Sequence, residues 1–503
     1  MHPLPPLSLF LLLVCARSQA PAWAGPRGDA GRTGRGAFAG PTSESTPPLL
    51  WSQTLTPAGP CDSAFSGGTG VVDASGNFFI VESSTCSGDV TYSIVGFAPS
   101  GKEHCRGAVD TPLSAPVSSS AGIFFLVEKG GVVYIAITDT AACSTALTAV
   151  PSVSPSSSPT LFFSPACKTL GGGCVVVFDG VSTLFAYDEL VLSPAWTVDL
   201  SQSVPAGALY SADSFAASAA TGSIFAASPR DTLVDFSLVE ISSAGVPSAF
   251  TVGAVLSTST TPFSVVCDTD GALLISGGGL AAADVLSVAV SVGQAVVAWS
   301  WVGADAGEPL WPLAASSDRV WAVTKSFDAY SLDKGTGIPS PWSPIPSNVF
   351  ASASVVGADG FLYCAQLQTS PTANLNILAL NKDDGTALWT LSTPVDTRVA
   401  LAGGLAIAVS TPGALVVSSS LFILAVGAAP TPTPSSTGAA PFESAALIAG
   451  VVVAGFVALC FCIWCARSRA FWGAGGAGDS GEYLDFEEGG GGRWEGGGGE
   501  GGE

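Results

Sequence analysis

Histidine, the side chain best suited to moving protons near neutral pH, is almost missing from this chain of 503 residues. His2 falls in an apolar N-terminal run and His104 stands alone. A multi-histidine zinc site lacks the imidazoles it needs, and a Ser-His-Asp triad would have only His104 to draw on, so neither is expected. His104, in Lys102-Glu103-His104-Cys105, reads as an exposed loop residue. Two acidic stretches, Asp268-x-Asp270-Gly271 and Asn381-x-Asp383-Asp384-Gly385, have the outline of calcium loops. Calcium takes about six or more oxygen ligands, and neither stretch adds the third carboxylate and distal glutamate of a full loop. Their chemistry suits hairpin turns instead, as does that of Leu332-Asp333-Lys334-Gly335. No catalytic or metal-ligating set emerges, and no cofactor is expected.

The remaining candidates for chemistry are cysteines. Cys15 lies in the leader, and Cys460, Cys462 and Cys465 flank a second apolar run. That leaves Cys61, Cys86, Cys105, Cys143, Cys167, Cys174, Cys267 and Cys364. An even set suits disulfides in an oxidising compartment, with the pairing open. Cys167 and Cys174 are the local candidates, closing the Gly-rich loop between them across a hairpin.

What must position such residues is a repeat of short strands. Its clearest copy spans 355–394: a turn at Ala358-Asp359-Gly360, strand-like alternation, a strand through 375–380, a tight turn at Asp383-Asp384-Gly385 and a closing Trp389. Fainter unit ends carry Trp51, Trp196, Trp299 and Trp342. Unit beginnings recur at Asp73-Ala74-Ser75-Gly76, Thr221-Gly222, Asp268-Thr269-Asp270-Gly271 and Asp359-Gly360, each with the glycine that a positive-φ turn demands. Closing strands fall near 51, 105, 148, 196, 249, 299, 342 and 389, in the range of four-stranded propeller blades. The units ending near 105, 148 and 249 lack tryptophan. After Trp389 only three strands follow, and Leu49-Leu50-Trp51-Ser52-Gln53-Thr54-Leu55 offers the missing fourth. The expectation is an all-β, eight-bladed β-propeller over 49–427, closed by its N-terminal strand, which removes two exposed edges. A seven-bladed ring is the alternative.

The stretch Ala379-Leu380-Asn381-Lys382-Asp383-Asp384-Gly385-Thr386-Ala387-Leu388-Trp389 resembles the pyrroloquinoline-quinone (PQQ) type repeat of quinoprotein alcohol-dehydrogenase-like eight-bladed propellers. In that family an Ala-(Leu/Tyr)-x-x-x-x-Gly-x-x-x-Trp strand pair closes each blade. Looser matches begin at Phe327-Asp328-Ala329-Tyr330, with Gly335 kept and Pro339 standing where the tryptophan should be, and at Phe185-Ala186-Tyr187-Asp188, with Leu192 in place of glycine before Trp196. The resemblance implies tryptophans packed between neighbouring blades. It does not carry over quinone chemistry: the chain has no adjacent cysteine pair, no Cys-x-x-Cys-His, and nothing matching the calcium ligands and catalytic aspartate. A binding scaffold is therefore expected, with a degenerate membrane-anchored oxidoreductase as the alternative.

The ends of the chain complete the expectation. Residues 1–24 read as a signal peptide with Ala22-Trp23-Ala24 at its cleavage site, and 25–48 as a flexible arm holding a chance Arg27-Gly28-Asp29. Residues 428–443 form a Pro/Thr/Ser stalk, 444–464 an uncharged run long enough to span a bilayer, and 465–503 a disordered acidic Gly-rich tail. Arg467 and Arg469 after the run place the tail in the cytosol, giving a single-pass type I protein of the plasma or secretory-pathway membrane with its N-terminus outside. Ala446, Gly450, Ala454 and Ala458 offer a homodimer face in the span. Cys460, Cys462 and Cys465 are palmitoylation candidates, and Tyr483 with Phe486 forms a sorting motif. Charge excludes nucleic acid: 25–443 carry 13 Lys and Arg against 31 acids, which cannot grip phosphates. The expected partner is a protein or glycan on the outer side, beside the membrane itself.

Overall fold

A computed structural model describes residues 39–42, 45–54, 61–65, 70–165, 167, 172–203, 210–229, 235–253, 264–268, 270–276, 284–291, 293–303, 313–323, 329–343, 355–357, 360–368, 374–394, 406–411, 413–419 and 421–427. The described strands form eight antiparallel sheets. In chain order blades 1 to 7 occupy 61–109, 111–149, 160–199, 215–253, 264–301, 314–333 and 355–394. Blade 8 joins 406–427 to Leu49–Thr54, which pairs antiparallel with Phe422–Gly427. The N-terminal strand closes the ring, and the count is eight.

Why these sequences stack is visible in their alternation. In Cys174–Phe178, Val175 and Val177 pack into a cluster shared with blade 2, while Cys174, Val176 and Phe178 face blade 4. Both faces of a sheet are thus buried, so the inner strands read as near-continuous apolar runs such as Phe78-Phe79-Ile80-Val81. Each of the seams from blades 1/2 to blades 6/7 holds its own apolar cluster. The largest cluster serves two seams, drawing Tyr363 and Trp389 of blade 7, Val416 and Ile423 of blade 8, and Phe78 and Phe97 of blade 1 together. That last cluster makes the arrangement a ring.

Because each blade runs up and down, its 1–2 and 3–4 connections emerge on one face, called here the turn face. The 2–3 and blade-to-blade connections emerge on the other. The 1–2 glycines expected in turns, Gly76, Gly222, Gly271 and Gly360, all take positive φ.

Several expectations are corrected. Trp342 closes no strand: blade 6 has three described strands, and its outer edge meets Pro339 in a single bridge to Leu332. Proline cannot donate to a ladder, so the fourth strand is cut short there. His104 is exposed, but on strand Glu103–Val109 and not in a loop. Part of the arm expected to be flexible is tied down: Gly40, Pro41 and Pro47 are buried, Gly413 N donates to Ala39 O at 2.8 Å, and Gly427 N donates to Pro48 O at 3.1 Å. No helix among the described residues is long and apolar enough to cross a membrane. The expected signal peptide, Arg27-Gly28-Asp29, the stalk, the 444–464 run, Cys460, Cys462, Cys465, Tyr483 and Phe486 lie outside the described residues.

Candidate functional site: the seams of the turn face

The residues that looked chemically active in the sequence meet on the turn face, where each blade touches the next. Trp196, Trp299 and Trp389 sit opposite the small residues Ala186, Ser287 and Ala379, each beside a register shift that turns the indole toward the neighbouring blade. Trp51, Trp196, Trp299 and Trp342 lie on Gly101, Gly245, Gly337 and Gly385 in the 3–4 turn of the next blade, where any Cβ would overlap the ring. Those four glycines all take positive φ. The indole N–H then donates to the same turn: Trp51 to Pro99 O at 2.9 Å, Trp299 to Lys334 O at 2.8 Å, and Trp342 to Asp383 O at 2.8 Å. Blade 8 has no 3–4 turn, because its fourth strand comes from the other end of the chain. Pro41 of the N-terminal segment takes that place and accepts from Trp389 Nε1 at 2.8 Å.

Seams without tryptophan are built differently. Cys105 lies opposite Gly96 beside a register shift, the site tryptophan takes elsewhere, and bonds to Cys143 in the 3–4 turn of blade 2. Cys143 occupies the left-handed position that glycine holds in the other turns, with φ 52°. Leu192 takes the same position in blade 3 at φ 50°; blade 2 sends no indole there, so a side chain fits and joins the apolar cluster of that seam. The match at 327–335 also shifts by two residues. Gly337, and not Gly335, takes the positive φ, because Asp333 opens the turn by accepting from the N–H groups of Gly335 and Thr336.

Charged side chains form a second layer. Lys334 reaches from blade 6 to the blade 5 turn, pairing with fully buried Asp268 and, at 2.7 Å, with Asp270. Lys382 of blade 7 pairs with Asp318 of blade 6 at 2.9 Å. The stretches outlined as calcium loops are thus seam turns, and among the described residues no group of three or more His, Cys, Asp or Glu could hold a metal. Burial alone would lower the Lys334 ammonium, yet hydrogen bonds to Asp268 and Asp270 outweigh it and hold the pKa above the ordinary lysine value. Burial likewise opposes, without overcoming, the Lys334 and Ala272 bonds that hold Asp270 below the usual carboxylate range. A cleft of about 680 Å³ opens here, lined by Asp270, Ser287, Trp299, Asp318, Asp333 and Lys334. Its carboxylates are ionised and engaged in turns and ion pairs. They can hold a cationic or hydrogen-bond-donating group, but they offer no activated nucleophile.

The two ion pairs differ in burial. Lys382→Ala should cost less than about 1 kcal/mol in urea unfolding, because its pair with Asp318 is solvent-exposed and screened. A loss above about 2 kcal/mol would show that this seam leans on its charges.

No protein-family model and no curated protein matches the sequence. Among solved structures, BamB from Moraxella catarrhalis aligns over 76% of this chain and 100% of its own at 10% identity, TM-score 0.45. A europium-containing methanol dehydrogenase aligns over 82% and 92% at 10% identity, TM-score 0.45. The quinohemoprotein alcohol dehydrogenase ADHIIG from Pseudomonas putida aligns over 86% and 84% at 11% identity, TM-score 0.48. The likeness is one of architecture only.

Of the candidate residues, Cys167 and Cys174 do form a disulfide. Cys61 and Cys86, directly opposite each other on adjacent strands, form another. Cys267 and Cys364 stay buried as thiols; burial pushes Cys364 up to about 12, leaving it inert at neutral pH. Sequence reasoning missed Asp268 with Lys334, and Glu189 in the blade 3 turn. The available signal was their shared turn position: Glu189, Lys334 and Lys382 each follow an Asp or Asn that opens a 3–4 turn.

Proposed function

We propose that this chain is a binding scaffold: a type I single-pass membrane protein whose propeller stands outside the cell or in the secretory lumen and holds a protein or glycan ligand. One contrast between the two faces carries the reading. On the turn face, short 3–4 turns are committed to gripping the preceding blade through Trp299, Trp342, Lys334 and the Cys105–Cys143 bond. On the other face, the sequence between strands is long, as between Gly253 and Ser264, Trp301 and Ala314, or Pro394 and Ala406. Long surface connections on a rigid ring are where recognition evolves. The run 444–464 supplies the anchor, the arginines after it set the orientation, and its small residues supply a dimer face.

The test displays the full chain on cells and probes it with a glycan array and with crosslinking to neighbouring proteins. Replacing 254–263 or 395–405 by Gly-Ser segments should abolish a specific capture without changing surface level, and the C-terminal tail should bind antibody only after permeabilisation. Capture indifferent to every connection would sink the binding role; a tail stained on intact cells would sink the topology.

A further inference from the structure

The ladder of blade 5 continues where other blades turn back. Past its register shift it adds four cross-strand pairs, from Val288 with Val297 to Ser291 with Gln294, whereas blades 1, 3 and 7 add one each. At about 3.4 Å per residue, the three extra pairs raise this hairpin roughly 10 Å above the neighbouring turns. One side of the overhang is covered: Val288, Val290, Ala295 and Val297 pack in the cluster shared with blade 4. The other side carries the cross-strand pair Ala289 and Val296, and Val296 is 56% exposed. Ala289 and Ala298 line the cleft of about 680 Å³, which also holds Asp270, Asp318, Asp333 and Lys334.

We propose that this cleft is a docking site for a partner protein, taking an arginine or lysine side chain from an extended segment laid along the blade 5 hairpin. It lies on the turn face, apart from the long connections of the other face, and does not depend on their role. The cleft divides by chemistry as a basic side chain does. Ala289, Val296 and Ala298 offer an apolar wall for the alkyl stem, and the three carboxylates offer acceptors for the charged head.

Those acceptors have capacity left. The side chains of Asp270 and Asp318 are 58% and 48% exposed, so their ion pairs with Lys334 and Lys382 leave lone pairs open to a further donor. Asp333 caps its turn through Oδ1, which accepts from Gly335 N–H and from the N–H and hydroxyl of Thr336. Lys334 does not neutralise the set, because it is shared with buried Asp268. Burial opposes the ionised form of Asp318, yet the Lys382 and Ser316 bonds hold its pKa below the usual carboxylate range, as the Thr336 hydroxyl does for Asp333. The volume is that of pockets enclosing drug-sized ligands, room for a basic residue together with its neighbours.

Fluorescence anisotropy on the detergent-purified full chain tests this. The probes are an N-terminally labelled, C-terminally amidated Gly-Arg-Gly peptide and its citrulline analogue, which keeps the shape and loses the charge. The arginine peptide should bind saturably, and the citrulline peptide about tenfold or more weakly. Ala289→Arg, at an exposed strand position, brings its own guanidinium to the carboxylates and should weaken peptide binding about tenfold without moving the urea midpoint. The net charge of −22 attracts cations in general, but one added charge alters that field little, so the loss reports on the cleft. Lys382→Ala releases Asp318 and should tighten binding about two- to fivefold. It carries the test if Ala289→Arg does not fold. Equal binding of the two peptides, wild-type affinity in folded Ala289→Arg, or no tightening in Lys382→Ala would overturn the site. Cadaverine binding as tightly as the arginine peptide would overturn the partner, since a free diamine would then fill the cleft by itself.

Discussion

Trp389→Ala should lower the unfolding free energy of the ring by about 3–5 kcal/mol, the range for deleting a large buried aromatic. The side chain is 3% exposed and belongs to the cluster that holds blades 7, 8 and 1 together. Its indole packs near Tyr363, with ring centroids 6.1 Å apart, and its N–H reaches Pro41 O. Two losses therefore coincide: a cavity at the closing seam, and an orphaned carbonyl in the segment that leads into the closing strand. Denaturant midpoints report the first; faster proteolysis within 39–48 reports the second. Trp389→Phe keeps most of the apolar contact and loses the hydrogen bond, so it should cost about 1 kcal/mol from that bond plus a smaller packing defect. If Trp389→Ala leaves cleavage within 39–48 unchanged, the indole does not hold the N-terminal segment.

Removing the bond between Cys105 and Cys143, by Cys105→Ala with Cys143→Ala, should cost about 4 kcal/mol on the loop-closure account. The bridge spans 38 residues and joins two blades, whereas Cys61–Cys86 ties neighbouring strands of one sheet. Because Cys105 stands where other blades place tryptophan and Cys143 where they place glycine, Cys105→Trp with Cys143→Gly is the informative second variant. It should recover part of the loss by seating an indole on the turn. Calorimetry on all three proteins under oxidising conditions measures both steps. No recovery would mean that the two clasps are not interchangeable at this seam.

The turns and strand ends were legible because their demands are local. Asp73-Ala74-Ser75-Gly76 and Asp383-Asp384-Gly385 specify hairpins through their own backbone, and Trp389 marks a strand end within its own repeat. Cys167 and Cys174 were legible for the same reason, since a short Gly-rich loop brings them together. The pairing of Cys105 with Cys143 was not. It depends on two blades stacking so that an outer strand meets the next blade's turn, and no spacing rule encodes that.

The sixth blade shows the same boundary. Its sequence offers Gly335 and Gly337 within one turn, and only the cap from Asp333 selects which takes the left-handed position. Leu192 looked like a defect in the repeat until the neighbouring blade proved to have no indole to place there.

By itself, then, the sequence determined an all-β ring and offered the strand swap that joins Leu49–Thr54 to Phe422–Gly427, while the choice of eight blades over seven came from the sheets themselves. It also left His104 alone to serve any histidine-based chemistry. Only the tertiary structure decided what the acids and lysines do. Asp268 meets Lys334 and Glu189 meets Ser119 because stacked sheets bring together turns far apart in the chain. The resulting burial sets whether an ion pair is enclosed, like Lys334 with Asp268, or screened by solvent, like Lys382 with Asp318, and burial is a property of neighbours that a single stretch of sequence does not contain.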